Sequence, residues 1–122
     1  FMFSKTFYIQ IRENQFQVRD LTTSRTLTKR ANPGFSHPRM LVGDFTSAEV
    51  CLKALLSEAR GAGFVLSTPV LIHPLEKIEG GLTQIEERMF RELAIGAGAS
   101  KVKVWVGEAL SDTAALAKIK AK

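Results

Sequence analysis

The sequence predicts an α/β domain built on one mixed β-sheet with helices on its faces. Three observations carry that expectation. Residues 7 to 21, FYIQIRENQFQVRDL, alternate apolar and polar on both sides of a short polar turn, which is the period of a half-buried β-hairpin. Residues 68 to 73, TPVLIH, form a nearly continuous apolar run, the mark of a strand buried on both faces. Around these lie stretches with apolar residues at helical spacing, opened by capping residues and closed by glycines.

Each element follows in order. The hairpin turn, Arg12-Glu13-Asn14, contains no glycine and carries a carboxylate. SRTLTKRA, residues 24 to 31, has the β pattern but little hydrophobicity, so it is expected as a third strand at an edge. ANPGFSHPRM, residues 31 to 40, holds two prolines and a glycine and reads as a loop. Thr46 and Glu49 have capping-box spacing, and Ala48, Cys51, Leu52, Leu55 and Ala59 line one face, predicting a helix over residues 47 to 60 that ends at Gly61 and Gly63.

The buried strand ends at Pro74, and a loop with Gly80-Gly81 leads to a second capping box, Thr83 with Glu86. Ile85, Met89, Phe90, Leu93 and Ala97 form the expected inward stripe of the helix that follows, closed by Gly96 and Gly98. KVKVWV, residues 101 to 106, alternates as a further strand, and Ser111 is placed to cap a last, alanine-rich helix. The order β-β-β-α-β-α-β-α turns three antiparallel strands into parallel strands joined by helical crossovers, giving a sheet of about five strands. This is the topology of ribonuclease-H-like and actin-like domains.

Composition narrows the function. At 122 residues the chain is expected to be one domain spanning 1 to 122, with its natural start at Met2 and Phe1 left over from expression. One cysteine, Cys51, and two histidines exclude an internal disulfide framework and leave little from which to build a zinc site. No apolar run is long enough to span a bilayer and no secretory signal opens the chain, so a cytoplasmic location is expected. The net charge of +5 invites a nucleic-acid reading. Against it, the 17 basic residues are spread along the chain and interleave with acids such as Glu86, Glu87 and Glu92; only Lys118, Lys120 and Lys122 cluster, as a solvated tail.

GGLTQIEERMFRELAIGAGASKVKVWVGEA, residues 80 to 109, resembles a signature of the bacterial actin-like rod shape-determining family MreB. There the pattern G-x-T-x-V-E-x-R-A is followed by a helix and A-G-A-x-x-V-x-L-I-x-E-P. Gly81, Thr83, Glu86, Arg88, Gly96, Ala97, Gly98, Ala99, Val102 and Glu108 fall on it. Pro38, Gly43, Asp44, Phe45, Glu49 and Leu52 resemble the family segment R-P-M-x-x-G-x-I-x-D-F-x-x-T-E-x-M-L, shortened by a few residues, and MFSKTFYIQI from Met2 resembles the family's run into its first strand. The resemblance is collinear and implies one complete subdomain, the first lobe segment of an actin-like fold.

The same resemblance implies a lost enzyme. In the family the first hairpin carries D-x-G-T, whose acid helps hold a metal and whose glycine and threonine cradle phosphate. In this chain those places are Gln10, Arg12 and Glu13, which removes a metal ligand and sets a negative side chain where N–H groups should attract phosphate. The family's second phosphate loop, D-x-G-G-G-T, would fall after the last helix, beyond Lys122. The expectation is a pseudo-ATPase with no catalytic residue, no metal and no cofactor.

The remaining candidates have plain readings beside functional ones. The family places the glutamate matched by Glu86 near the water that attacks the γ-phosphate, and Thr83 opens a helix whose N–H groups suit an anion. These two are the only cofactor-binding candidates, and capping explains both. His37 is read as a loop residue and His73 as a strand-end hydrogen-bonder, and Gln10 in the first strand, where a nuclease would need an acid, counts against a ribonuclease.

Trp105 shares a strand face with Lys101 and Lys103, as an interface residue or packed under the last helix through Leu116 and Ile119. Arg25, Lys29 and Arg30 guard an edge strand that is open to strand addition. The function expected is a non-catalytic module that binds a protein partner, an MreB-type filament or its cell-shape machinery, or associates with itself. The alternatives are an ATP-binding protein whose site is completed by oligomerisation, and a basic nucleic-acid-binding module.

Overall fold

A computed structural model describes residues 4–121. The expectations that fall on Phe1, Met2, Phe3 and Lys122 lie outside these residues. The elements are β1 (Phe7–Arg12), β2 (Gln15–Asp20), β3 (Thr26–Arg30), α1 (Phe45–Arg60), β4 (Pro69–Pro74), α2 (Gln84–Gly96), β5 (Lys101–Val104) and α3 (Asp112–Lys120). The five strands form one sheet in the order β3-β2-β1-β4-β5. β1, β2 and β3 are antiparallel neighbours, whereas β4 lies parallel to β1 and β5 parallel to β4. The domain is thus α/β, with a five-strand mixed sheet and three helices.

Alternation along the strands sorts side chains to two faces. Phe7, Ile9 and Ile11 of β1 lie beside Phe16 and Val18 of β2 and Val70 and Ile72 of β4, all buried against the apolar stripes of α1 and α2. Phe35, from the loop before α1, stacks on Phe16 with ring centroids 4.9 Å apart and closes one end of this core. Each fully buried Leu or Ile contributes about 1.5–3 kcal/mol of burial, so this face dominates stability. On the opposite face Tyr8, Leu71, Ala115 and Ile119 form a smaller cluster where α3 crosses β4 and β5. α3 also reaches toward β2, where the Arg19 guanidinium pairs with the Asp112 carboxylate at 3.1 Å.

The local signals that hold are Thr83 and Glu86, which form the reciprocal capping box of α2, and Ser111, whose hydroxyl accepts from the Ala114 N–H at the start of α3. Others are corrected. The cap of α1 is Asp44, whose carboxylate accepts from the Ser47 N–H, so the helix starts at Phe45 and Thr46 lies in its first turn rather than capping it with Glu49. A carboxylate two residues earlier out-competes the threonine because it carries a full charge at the positive end of the helix dipole.

Ile85 is 81 % exposed and does not belong to the inward stripe, which is completed instead by Ala94. At 3.6 residues per turn Ile85 lies roughly 140° around the helix from Phe90. The third strand is shorter than residues 24 to 31, because Ser24 takes a positive φ of 62° and turns the chain before Thr26. The last strand stops at Val104, although the Trp105 N–H still donates to the Ile72 carbonyl at 2.9 Å. Among the described residues no helix is long and apolar enough to cross a membrane.

Candidate functional site

The β1–β2 turn consists of Glu13 and Asn14, with Arg12 paired to Gln15 and Asn14 at a positive φ of 56°. Asparagine tolerates that conformation, which explains how the turn forms without glycine. Its N–H groups have partners within the chain. The Glu13 N–H donates to the Glu76 carboxylate, from the loop after β4. The Asn14 N–H donates to the Ser36 hydroxyl at 3.0 Å, and Asn14 Oδ1 accepts in return from the Ser36 N–H at 2.7 Å. The Lys77 ammonium reaches the Pro38 carbonyl at 2.9 Å, and this fastens the β4–α2 loop to the proline loop.

Thr83 and Glu86 satisfy one another. Glu86 Oε1 accepts from the Thr83 N–H at 2.9 Å, and Thr83 Oγ1 accepts from the Glu86 N–H at 3.1 Å. Both side chains are committed to the start of α2, which is the arrangement a helix needs without any ligand.

A buried polar network crosses the opposite sheet face. The Tyr8 hydroxyl lies 2.7 Å from Nδ1 of the fully buried His73, and His73 Nε2 lies 2.9 Å from the Gly107 carbonyl. The Gln10 amide donates to Tyr8 Oη at 3.2 Å, as does the Leu110 N–H at 3.2 Å. Burial holds the His73 ring below the usual imidazole range, opposed by its bond to the Gly107 carbonyl. Gln10 therefore belongs to a strand-spanning hydrogen-bond chain.

Trp105 is half-buried beside this network. Its indole N–H donates to the Glu108 carbonyl at 2.9 Å, the Lys118 ammonium sits 3.9 Å from its ring centroid, and the ring lies 6.4 Å from that of His73 at an interplanar angle of 60°. Leu116 and Ile119 of α3 belong to the same cluster, so the ring is packed under that helix. His37 stays in the proline loop, where Nδ1 accepts from the Arg39 N–H at 3.1 Å. Among the described residues no three His, Cys, Asp or Glu side chains are placed to hold a metal ion.

Arg25, Lys29 and Arg30 are exposed on or just before β3, which ends the sheet. Arg25 lies before β3, while the register pairs Lys29 with Phe16 and Arg30 with Gln15, which puts them on opposite faces of the sheet. Lys29 lines a groove of about 390 Å³ between the edge strand and α1, together with Ala31, Pro33, Val50, Cys51 and Ala54. Cys51 is the buried helix-face thiol expected, and burial pushes it above the usual thiol range while the Lys29 charge opposes. Sequence spacing did not reveal Glu76 as the turn's partner or Val50 as a groove residue. Glu13 and Glu76 are 63 residues apart, and Val50 lies outside the apolar stripe that marks α1.

No family model matches the chain. It is similar to a protein of Escherichia coli (strain K12), "Uncharacterized protein YjaA", with 36% identity over 125 residues that cover 94% of this chain and 97% of the relative. Similarity at that level, end to end with its relative, means that the chain belongs to the same family as YjaA.

Proposed function

We propose that this chain is a non-catalytic, actin-like module with ribonuclease-H-like topology that acts in the cytoplasm by binding a protein partner. The partner expected from the sequence resemblance is an MreB-type filament or the cell-shape machinery around it. One observation carries the non-catalytic part: the hairpin turn that would cradle phosphate donates its Glu13 and Asn14 N–H groups to Glu76 and Ser36. A carboxylate already bonded at that turn opposes a nucleotide phosphate both by occupancy and by charge. The strand order β3-β2-β1-β4-β5, antiparallel then parallel, supports the topology. It agrees with the order that the MreB-like motifs imply.

The test is co-sedimentation of the chain with polymerised MreB, with and without ATP, alongside calorimetry with Mg-ATP. Pelleting in proportion to filament, with no heat of Mg-ATP binding, is the expected result. A chain that stays in the supernatant under both conditions removes the filament as partner. Saturable Mg-ATP binding overturns the pseudo-ATPase reading and favours a site completed between copies.

A further inference from the structure

The outer edge of β3 and the groove beside it lie where a strand could be added to the sheet. β3 ends the strand order, and four of its five residues are exposed. Its two faces differ. On the α1 side are Lys29 and the groove, with exposed apolar Val50 (65 %) beside Ala54 and Pro33, and no carboxylate lines it. The two acids nearest in sequence point elsewhere: Glu49, next to Val50, sets its carboxylate against Gly96 of α2, and Asp44 directs its carboxylate to the N–H and hydroxyl of Ser47. On the other side the register sets Arg30, Gln15 and Arg12 in one row across three strands. Arg12 and Arg30 are exposed, and their guanidinium groups have no ion pair among the described residues.

An added strand alternates its side chains between these two environments. Residues on one side enter an apolar groove with a lysine at its rim; residues on the other meet unpaired arginine. Opposite charges on adjacent strands stabilise pairing and like charges oppose it. Pairing β3 with a second copy of itself would set Arg25, Lys29 and Arg30 of one strand alongside the same set of cations on the other, so the edge that repels its own kind selects acid. We propose that β3 is a docking edge for an extended acidic segment of a partner protein, in which apolar and acidic residues alternate. The proposal rests on the reading of the chain as a protein-binding module and supplies the chemistry of the partner.

The experiment uses the full chain and a fluorescent heptapeptide of alternating glutamate and valine, with a block peptide of the same composition as control. Anisotropy titration is expected to give affinity for the alternating peptide about tenfold above the block peptide, with amide shifts confined to Thr26–Arg30 and the region of Val50. Val50→Glu and Arg30→Glu, both exposed, should each weaken binding about tenfold without moving the thermal midpoint. Arg30→Glu should also gain affinity for an alternating lysine–valine peptide, which a general loss of structure would not produce.

Equal affinity for both peptides, no binding, or shifts elsewhere overturns the proposal. So does dimerisation that protects β3, which makes a second copy the occupant, or tighter binding of a single-stranded oligonucleotide to the same amides. Co-sedimentation of Val50→Glu with MreB separates the two readings. A variant that still pellets while the peptide fails to bind native chain removes the β3 site alone; if native chain does not pellet either, the partner reading falls with it.

Discussion

The Tyr8 hydroxyl and His73 Nδ1, 2.7 Å apart on adjacent parallel strands, fix each other's proton. Because His73 Nε2 faces the Gly107 carbonyl, which can only accept, the neutral ring carries its proton on Nε2 and Nδ1 accepts from Tyr8. Tyr8 Oη then accepts from Gln10 and Leu110, so one hydroxyl ties β1, β4 and the loop before α3 together.

Tyr8→Phe removes that hydroxyl and leaves His73 Nδ1 buried without a donor. The expected cost is about 1–3 kcal/mol, since an unsatisfied buried acceptor loses its hydration with nothing in exchange. Urea unfolding measures it, and a loss below about 0.5 kcal/mol, the range of ordinary surface changes, would mean the network carries no stability.

The same histidine predicts how stability depends on pH. Burial lowers its affinity for a proton below the ordinary value of 6.5, so as pH falls the unfolded chain binds the proton first. Stability from this group is complete above that value, declines as pH drops toward the lower folded pKa, and levels off beneath it. NMR titration should place the His73 midpoint under 6.5, and urea midpoints should decline over the same interval. A midpoint above 6.5 would contradict a neutral buried ring.

Gly107 has a φ of 151°, and a Cβ there would meet the Trp105 ring at Cζ2. Gly107→Ala is expected to destabilise by about 1–3 kcal/mol, through backbone strain and displacement of the indole. It should also blue- or red-shift the single tryptophan's fluorescence, because Trp105 is the only tryptophan in the chain. Unchanged emission and stability together would show that the loop relaxes freely.

The capping box separates two roles for Glu86. Thr83→Ala should cost about 1 kcal/mol, and Glu86→Gln should cost little, since an amide oxygen can still accept from the Thr83 N–H. Thr83→Ala combined with Glu86→Ala should cost less than the sum of the singles, because either removal breaks part of the same reciprocal pair. Thermal unfolding of the four variants tests this; strict additivity would sink the reciprocal picture.

Much of the fold was legible because it is written in short-range pattern. The alternation of residues 7 to 21, the run TPVLIH and the stripe Ala48, Cys51, Leu52, Leu55 and Ala59 each report burial through one element's own period. The misreadings arise where position within a period decides. Ile85 has the hydrophobicity of a core residue, yet its angle around the helix turns it outward. Contacts such as Tyr8 with His73, 65 residues apart, leave no local trace, because only the parallel register of β1 and β4 brings them together.

The bond from the Glu13 N–H to Glu76 also sets a concentration scale. A carboxylate held beside the turn by the fold competes intramolecularly, at an effective concentration that any free anion must match. Any free phosphate seeking that turn must outcompete a resident that cannot diffuse away, so the hairpin carries its own built-in competitive inhibitor. Creating an anion site there would require changing Glu76 first, in a loop remote in sequence from the hairpin itself.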